Sequence, residues 1–427
     1  MNKLLATFLV SFGVLELSAA PQSRTILVLP FENKSSRTDV GWMSESFAET
    51  LSMRLSGSDR AVLSRIERDA ACREAGIPPG TPMTWASAIK VAESLGADWV
   101  VTGTFAVNGR VLTSHAYLLD VSRLKISGPF EVNGQLADLA EIQTRLAWRI
   151  LAMDDKDFTV GSEEDFRRQF PALRLDAHEN YVRGVLATEP ETRVRFLTEA
   201  DRRDPSDHRA ALELGRFYYE IKDYENSEKW LDKLAPTDAD SFEARFMKGV
   251  NEFFLGRDAA AEKAFTDLAR EVPLTEVWNN LGFLQAGRGL WEEAIVNFDR
   301  AYQADSSDPV YSFNLGVCMW NEGKPAVAVR YFREALQAAP DDAEIHRLLG
   351  DALAKAGDLE GKKKEDKWLE GRGEELERNA NSGILPSPRL KKGFDRKAYR
   401  AHARSASPAR EVTERGTPAV APAEAKP

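Results

Sequence analysis

The residues on which metal or nucleophilic chemistry would rest are few in this chain and poorly spaced for it. His115, His178, His208, His346 and His402 are scattered, without the short intervals that bring imidazoles to one metal ion. His178-Glu179 opens like a zinc-protease pattern, but no second histidine follows at the required position. Cys72 and Cys318 are the only cysteines. They are too few for a disulfide framework and far enough apart to fall in separate domains, which predicts unpaired thiols. Neither has a histidine at a spacing that would activate it. The loop Gly76 to Pro82 has the glycines of a phosphate cradle. It lacks the Gly-Lys-Ser/Thr ending, and its prolines remove the N–H donors that a phosphate needs. The carboxylates are numerous but spread as on solvated helix faces. The expectation is therefore a non-enzymatic protein with no catalytic residue, metal or cofactor.

With chemistry set aside, the elements carry the information. Thr25 to Phe31 is a short apolar, β-rich run ended by Pro30-Phe31, suited to a buried strand. Met43, Phe47, Leu51 and Leu55 recur every four residues and form the stripe of an amphipathic helix. Ala61 to Ser64 reads as a shorter strand, and Thr84 can cap a helix that turns Ile89 and Leu95 inward. Trp99–Val107 and Arg110–Asp120 are β-branched and aromatic runs joined by Asn108-Gly109, a strong hairpin signal. A strand around Phe130–Val132 and a helix with Leu139, Ile142, Leu146 and Ile150 complete an α/β domain over residues 24–155 with three helices. The run Ile26-Leu27-Val28-Leu29-Pro30-Phe31-Glu32-Asn33 resembles the strand that opens the TolB-like amino-terminal domain. The resemblance extends through Phe47–Leu55, Leu63-Ser64-Arg65, Leu95–Thr104 and Tyr117–Asp120. The β-propeller that follows in TolB is missing from this pattern, so the propeller's partners do not carry over.

After Asp176 the periodicity changes. Gly215, Gly249, Gly282, Gly316 and Gly350 recur at intervals of 34, 33, 34 and 34 residues. Paired helices repeating near 34 residues resemble the tetratricopeptide repeat. Trp278, Leu281, Gly282, Ala294, Phe298 and Ala301 fit one unit; Leu315, Gly316, Gly323, Ala328, Phe332, Ala335 and Pro340 fit the next. Packing explains the residue types, because small residues admit the facing helix and Phe298 or Phe332 fills the gap between the two. A shortened unit with Tyr181, Gly184, Leu197, Ala200 and Pro205 precedes them, its inter-helix loop read as about three residues short. A last unit places Lys362, Lys363 and Lys364 where small residues belong, as a polar cap requires. The fold class expected is an α/β domain at 24–155, a linker at 156–175 and an all-α tetratricopeptide solenoid at 176–358. A capping helix at 359–380 and a disordered basic tail at 381–427 complete the chain.

The tetratricopeptide resemblance implies that the inner face of each first helix is a groove for a protein or peptide partner. Counted from the repeat glycines, that face includes Tyr219, Phe246, Phe253, Phe283, Phe313, Trp320 and Arg347. Phe313 and Trp320, seven residues apart, should project from one side of their helix. The competing reading is that several of these aromatics pack between repeats, about half of the row being core. The carboxylate clamp known in the family is not matched, since its positions hold Phe246, Val250, Phe313 and Val317.

Charge and the N-terminus set the context. The net charge of −10 argues against nucleic acid as a partner. It is unevenly spread: residues 381–427 carry ten basic and four acidic side chains, 10 − 4 = +6, leaving −16 for the rest. Lys3 followed by the apolar stretch Leu4–Leu15 and by Leu17-Ser18-Ala19-Ala20 reads as a signal peptide over 1–20. Pro21 disfavours cleavage directly after Ala20, and an uncleaved anchor is the alternative. The apolar stretch falls short of the ~20 residues that span a bilayer, and no cysteine forms a lipobox. The expectation is a bacterial periplasmic or secreted scaffold, without stable membrane insertion, that grips a protein or peptide partner in the cell envelope. The alternative is an envelope sensory module whose α/β domain binds a small ligand.

Overall fold

The computed structural model describes residues 24–57, 59–153, 161–170, 173–370 and 386–406. The expected leader at 1–20, part of the linker, the later half of the capping helix and residues 407–427 lie outside the described residues. The described chain divides into two compact units, one of residues up to 171 together with 404–406 and the other of residues 172–403.

The first unit is built on one mixed sheet. Its strands are β1 (Arg24–Val28), β2 (Glu32–Asn33), β3 (Arg60–Val62), β4 (Trp99–Asn108), β5 (Val111–Asp120) and β6 (Lys125–Gln135). The order is β3-β1-β4-β5-β6, with β2 paired to β4. β1 runs parallel to β3 and β4, whereas β4, β5 and β6 form an antiparallel meander. Because β1 is central, Ile26, Leu27 and Val28 are all buried, the continuous apolar run of a strand covered on both faces. The helices are α1 (Met43–Leu55), α2 (Arg65–Glu74), α3 (Trp85–Leu95), α4 (Leu139–Ala152) and α5 (Glu163–Arg168). Leu27, Val100 and Leu119 pack with Ala71 of α2 and with Ala88, Val91 and Ala92 of α3. Elsewhere in this unit Phe47 of α1 stacks between Phe31 and Phe105, centroids 4.6 and 5.4 Å away. Gly103 permits this packing, because a Cβ there would stand 2.4 Å from the Phe31 ring and 2.2 Å from the His115 carbonyl.

The expected hairpin is present, with Asn108 opposite Val111 and Gly109 at φ +60°. Thr84 caps α3 through the Ser87 amide. Two expectations are corrected. A further helix, α2, follows β3; its few apolar residues hide it from periodicity, although Ser64 and Glu67 form a reciprocal capping box. Part of the expected linker is also structured. α5 joins α4 through Arg145 and Glu163, 2.7 Å apart, and Phe170 lies under the Arg54 guanidinium at 4.2 Å.

Among the described residues the second unit contains a run of six helix pairs. They are α6 (Leu175–Leu186) with α7 (Pro190–Arg203), α8 (Arg209–Glu220) with α9 (Tyr224–Leu231), and α10 (Ser241–Phe254) with α11 (Asp258–Glu271). Then come α12 (Thr275–Gly287) with α13 (Trp291–Ala304), α14 (Pro309–Asn321) with α15 (Pro325–Ala338), and α16 (Ala343–Lys355) with α17 (Leu359–Leu369). The repeat glycines lie where the two helices of a pair meet. A Cβ on Gly316 would come within 2.6 Å of Phe332, and one on Gly215 within 2.4 Å of Leu231. Gly350, facing the polar α17, has nothing nearer than 3.4 Å, consistent with a loosely packed terminal pair. The first pair is shortened differently from the expectation. Its inter-helix turn has three residues like the others, and α6 instead ends two residues after Gly184, where the later first helices run five beyond their glycine.

The tail departs most from the sequence reading. Residues 386–395 are non-helical and lead into α18 (Arg396–Ala406). The disorder expected from residue 381 onward therefore does not hold for 386–406. The Pro, Ser and basic composition of this stretch buries too little apolar surface for independent folding; the array supplies the rest.

Candidate functional site

Residues 389–399 lie against the first helices of five consecutive pairs, α8, α10, α12, α14 and α16. The segment runs opposite to the repeat order, with Arg389 at α14 and α16 and Tyr399 at α10.

Two side-chain amides hold its backbone. Asn314 donates from Nδ2 to the Arg389 carbonyl at 2.9 Å and accepts the Arg389 amide at 2.6 Å. Asn280 does the same for Lys391, at 2.8 Å in both directions. Asn279 adds a bond to the Arg389 carbonyl at 3.0 Å, and accepts one from Asn314 at 2.8 Å. A primary amide offers one donor and one acceptor side by side, matching the N–H and C=O of a single residue. In an extended chain residues two apart face the same way, so clamps from adjacent repeats take Arg389 and Lys391. This recognition reads main chain and is indifferent to side-chain identity.

Carboxylates read the side chains. The Arg389 guanidinium makes a two-pronged contact with Asp342, at 2.7 and 3.0 Å, and a third with Glu344 at 2.6 Å. It also lies 3.9 Å over the Phe313 ring. Lys391 pairs with Asp308, and Arg396 with Glu243. The Asp395 amide donates to Glu276 at 2.9 Å. Burial pushes the Asp342 carboxyl up, but the hydrogen bonds and charge of Arg389 outweigh it and hold the group below the usual carboxylate range. Glu276 has no such cation, and burial leaves its carboxyl above that range.

Aromatic residues anchor the far end. Phe394 packs on Phe242 and Phe246 with centroids 5.8 and 5.7 Å away, and Tyr399 stacks on Phe242 at 4.9 Å. Tyr219 donates its hydroxyl to the Lys392 carbonyl at 2.8 Å.

Of the seven residues expected in the groove, Tyr219, Phe246 and Phe313 meet this segment. Phe246 and Phe313 are wholly buried and also belong to the core, packing on Phe265 and Phe332 respectively. Phe253 and Phe283 pack edge to face on each other at 4.9 Å, beside the same cluster. Trp320 lies under the Lys355 ammonium, 4.2 Å from its ring centre. Arg347 pairs along its own helix with Asp351 at 3.4 Å. Of that pair, Phe313 meets the segment under the Arg389 guanidinium, and Trp320 lies against Lys355. The polar residues that hold the segment were missed, yet they too follow the repeat: Glu243 and Glu276 are 33 residues apart, Asn280 and Asn314 are 34, and Asp308 and Asp342 are 34. Among the described residues no group of three or more His, Cys, Asp or Glu side chains could hold a metal ion. No described helix is long and apolar enough to cross a membrane.

Residues 193–244 and 320–361 match the family model of the tetratricopeptide repeat. No curated protein matches the chain. Among solved structures the chain is similar to YrrB, described as a TPR protein with an unusual peptide-binding site. The two share 19% identity over 43% of this chain and 96% of that one, with a TM-score of 0.36. It is also similar to MamA from Desulfovibrio magneticus RS-1, at 15% identity over 42% and 98%, TM-score 0.36. Likeness at that level carries no inference about binding. The array is identified by its observed helix pairs, their period and the family-model match.

Proposed function

We propose that this chain is an exported, non-enzymatic scaffold that holds a protein partner by laying an extended segment of it along the tetratricopeptide groove. The observation that carries this reading is the pair of amide clamps, Asn280 and Asn314, one repeat apart and each engaging both the N–H and the C=O of one peptide residue. Main-chain recognition of this kind suits a protein segment of varied sequence. Export rests on the leader-like run Leu4–Leu15, and a periplasmic or secreted location in a bacterial envelope belongs to the same proposal. The α/β unit, with its TolB-like sequence pattern, would dock to a second envelope component.

The test is recovery of the partner from the native envelope with a chain whose resident segment is repelled from the groove (Arg389→Glu, Lys391→Glu) and with the same chain also carrying Asn280→Ala and Asn314→Ala. Each lost hydrogen bond is worth ~0.5–1.5 kcal/mol net, so four should weaken capture by at least about 30-fold. Helical content should stay unchanged. A partner held equally by both chains would refute the groove reading. Mass spectrometry of the envelope protein would settle export, an intact Met1 opposing it.

A further inference from the structure

We propose that segment 387–399 is a removable occupant of the groove, competing in cis with an external protein segment of the same chemistry. That chemistry is an extended chain with an arginine, a lysine two residues on and an aromatic three residues after that, as in Arg389, Lys391 and Phe394. The inference rests on the groove reading above and names both its ligand class and its regulation.

Three observations support an occupant over a permanent part of the core. The first is that most groove carboxylates have a second partner inside the array. Asp308 caps α14 through the Val310 amide at 2.9 Å. Asp342 caps α16 through the Glu344 and Ile345 amides at 3.1 and 3.2 Å. Glu243 takes both prongs of Arg216 at 2.9 Å. When the segment leaves, none of these three is stranded. Asn279, Asn280 and Asn314 likewise hydrogen-bond one another. Three of the five groove carboxylates thus keep a partner within the array when the occupant leaves.

The second is charge. Residues 386–402 carry six basic side chains and one acidic, against Glu243, Glu276, Asp308, Asp342 and Glu344 in the groove. Opposite charges of this kind attract a free basic segment as well as the tethered one. The third is generality: the amide clamps engage only backbone, so any chain presenting cations at the right interval satisfies the same groups.

The consequence is a conformational tax on the partner. If the groove is open in about one molecule in a hundred, apparent affinity falls about 100-fold. Releasing the occupant removes that factor.

The experiment uses the full chain and a labelled peptide of residues 386–402. In the Arg389→Glu, Lys391→Glu chain the resident segment is repelled by the groove, and the peptide should bind at least about tenfold more tightly than to wild type. Adding Asn280→Ala and Asn314→Ala to that chain should abolish the gain. In parallel, hydrogen exchange of the Arg389, Lys391 and Asp395 amides in wild type should accelerate when unlabelled peptide is added, which needs no variant to fold. Equal affinity for wild type and released chain overturns the competition. No binding to the released chain, together with unchanged exchange, overturns the ligand chemistry but leaves the groove reading to the partner-capture test. Binding that persists without the two asparagines would count against the groove reading itself.

Discussion

At the residue scale, charge and backbone conformation make separate predictions. The Asp342 carboxyl is held below its ordinary value of 3.8 by Arg389. A lowered value means that the ionised form stabilises the docked segment. That contribution is complete above the ordinary value and is lost as pH falls through the lowered one. Affinity of the 386–402 peptide for the released chain should therefore drop as pH falls from about 5 to about 3. Asp342→Asn should bind more weakly near neutrality and flatten that slope; an unchanged slope would assign the pH dependence to another group. The inter-helix turns give a second prediction. In the second to sixth pairs their middle residues are Lys222, Gly256, Gly289, Gly323 and Gly357, all at positive φ, and of these Lys222 at +64° is the one that carries a Cβ. That conformation costs a lysine ~1 kcal/mol. Lys222→Gly should raise stability by roughly 0.5–1 kcal/mol less the entropy of the added glycine, read as a rise in Tm by calorimetry.

At the element scale, the repeat glycines are unequal although the sequence spaces them alike. A methyl at Gly316 would stand 2.6 Å from Phe332 of α15, a rigid ring inside the core. Gly316→Ala should destabilise the array by ~1–3 kcal/mol through overpacking. The same change at Gly350 meets only Glu365 at 3.4 Å, so helix propensity should dominate and the variant should be neutral or more stable by up to ~1 kcal/mol. Paired denaturant titrations decide it, and equal losses at both sites would remove the idea that α16 and α17 form an open cap. Phe313 belongs to this scale as well. Packed on Phe332 and wholly buried, it should cost ~3–5 kcal/mol when truncated to Ala, so it is a poor probe of binding alone.

At the scale of the whole molecule, the two thiols report on the two units. Cys72 is half-buried in the α/β unit, whereas Cys318 is buried in the array with its thiol pushed up to about 12 by desolvation. A thiol reagent near neutral pH should label Cys72 in the folded protein and reach Cys318 only when the array opens. Labelling of Cys318 followed through a denaturant series then reports the opening of the array, with Cys72 as the reference; a Cys318 labelled as fast as Cys72 without denaturant would mean that the array does not enclose it. The sequence determined the array, because a 34-residue period of small and apolar residues has one economical packing, and it determined the sheet through β1 and the Asn108-Gly109 hairpin. It could not expose α2, whose buried Arg68 pairs with Glu45 on another helix, 2.7 Å away, as well as with its neighbour Asp69. Nor could it place residues 386–399. Their composition reads as disordered because they have no core of their own, and they become ordered on a surface assembled from α8, α10, α12, α14 and α16. Of the aromatic row read from the register, Tyr219, Phe246 and Phe313 meet the segment, whereas Asn280, Asn314, Asp308 and Asp342 share the repeat's spacing without being residue types that mark a partner. Local periodicity fixes which residues share a helix face; only the packed array decides what that face meets, because its contacts join residues 45 to 173 positions apart.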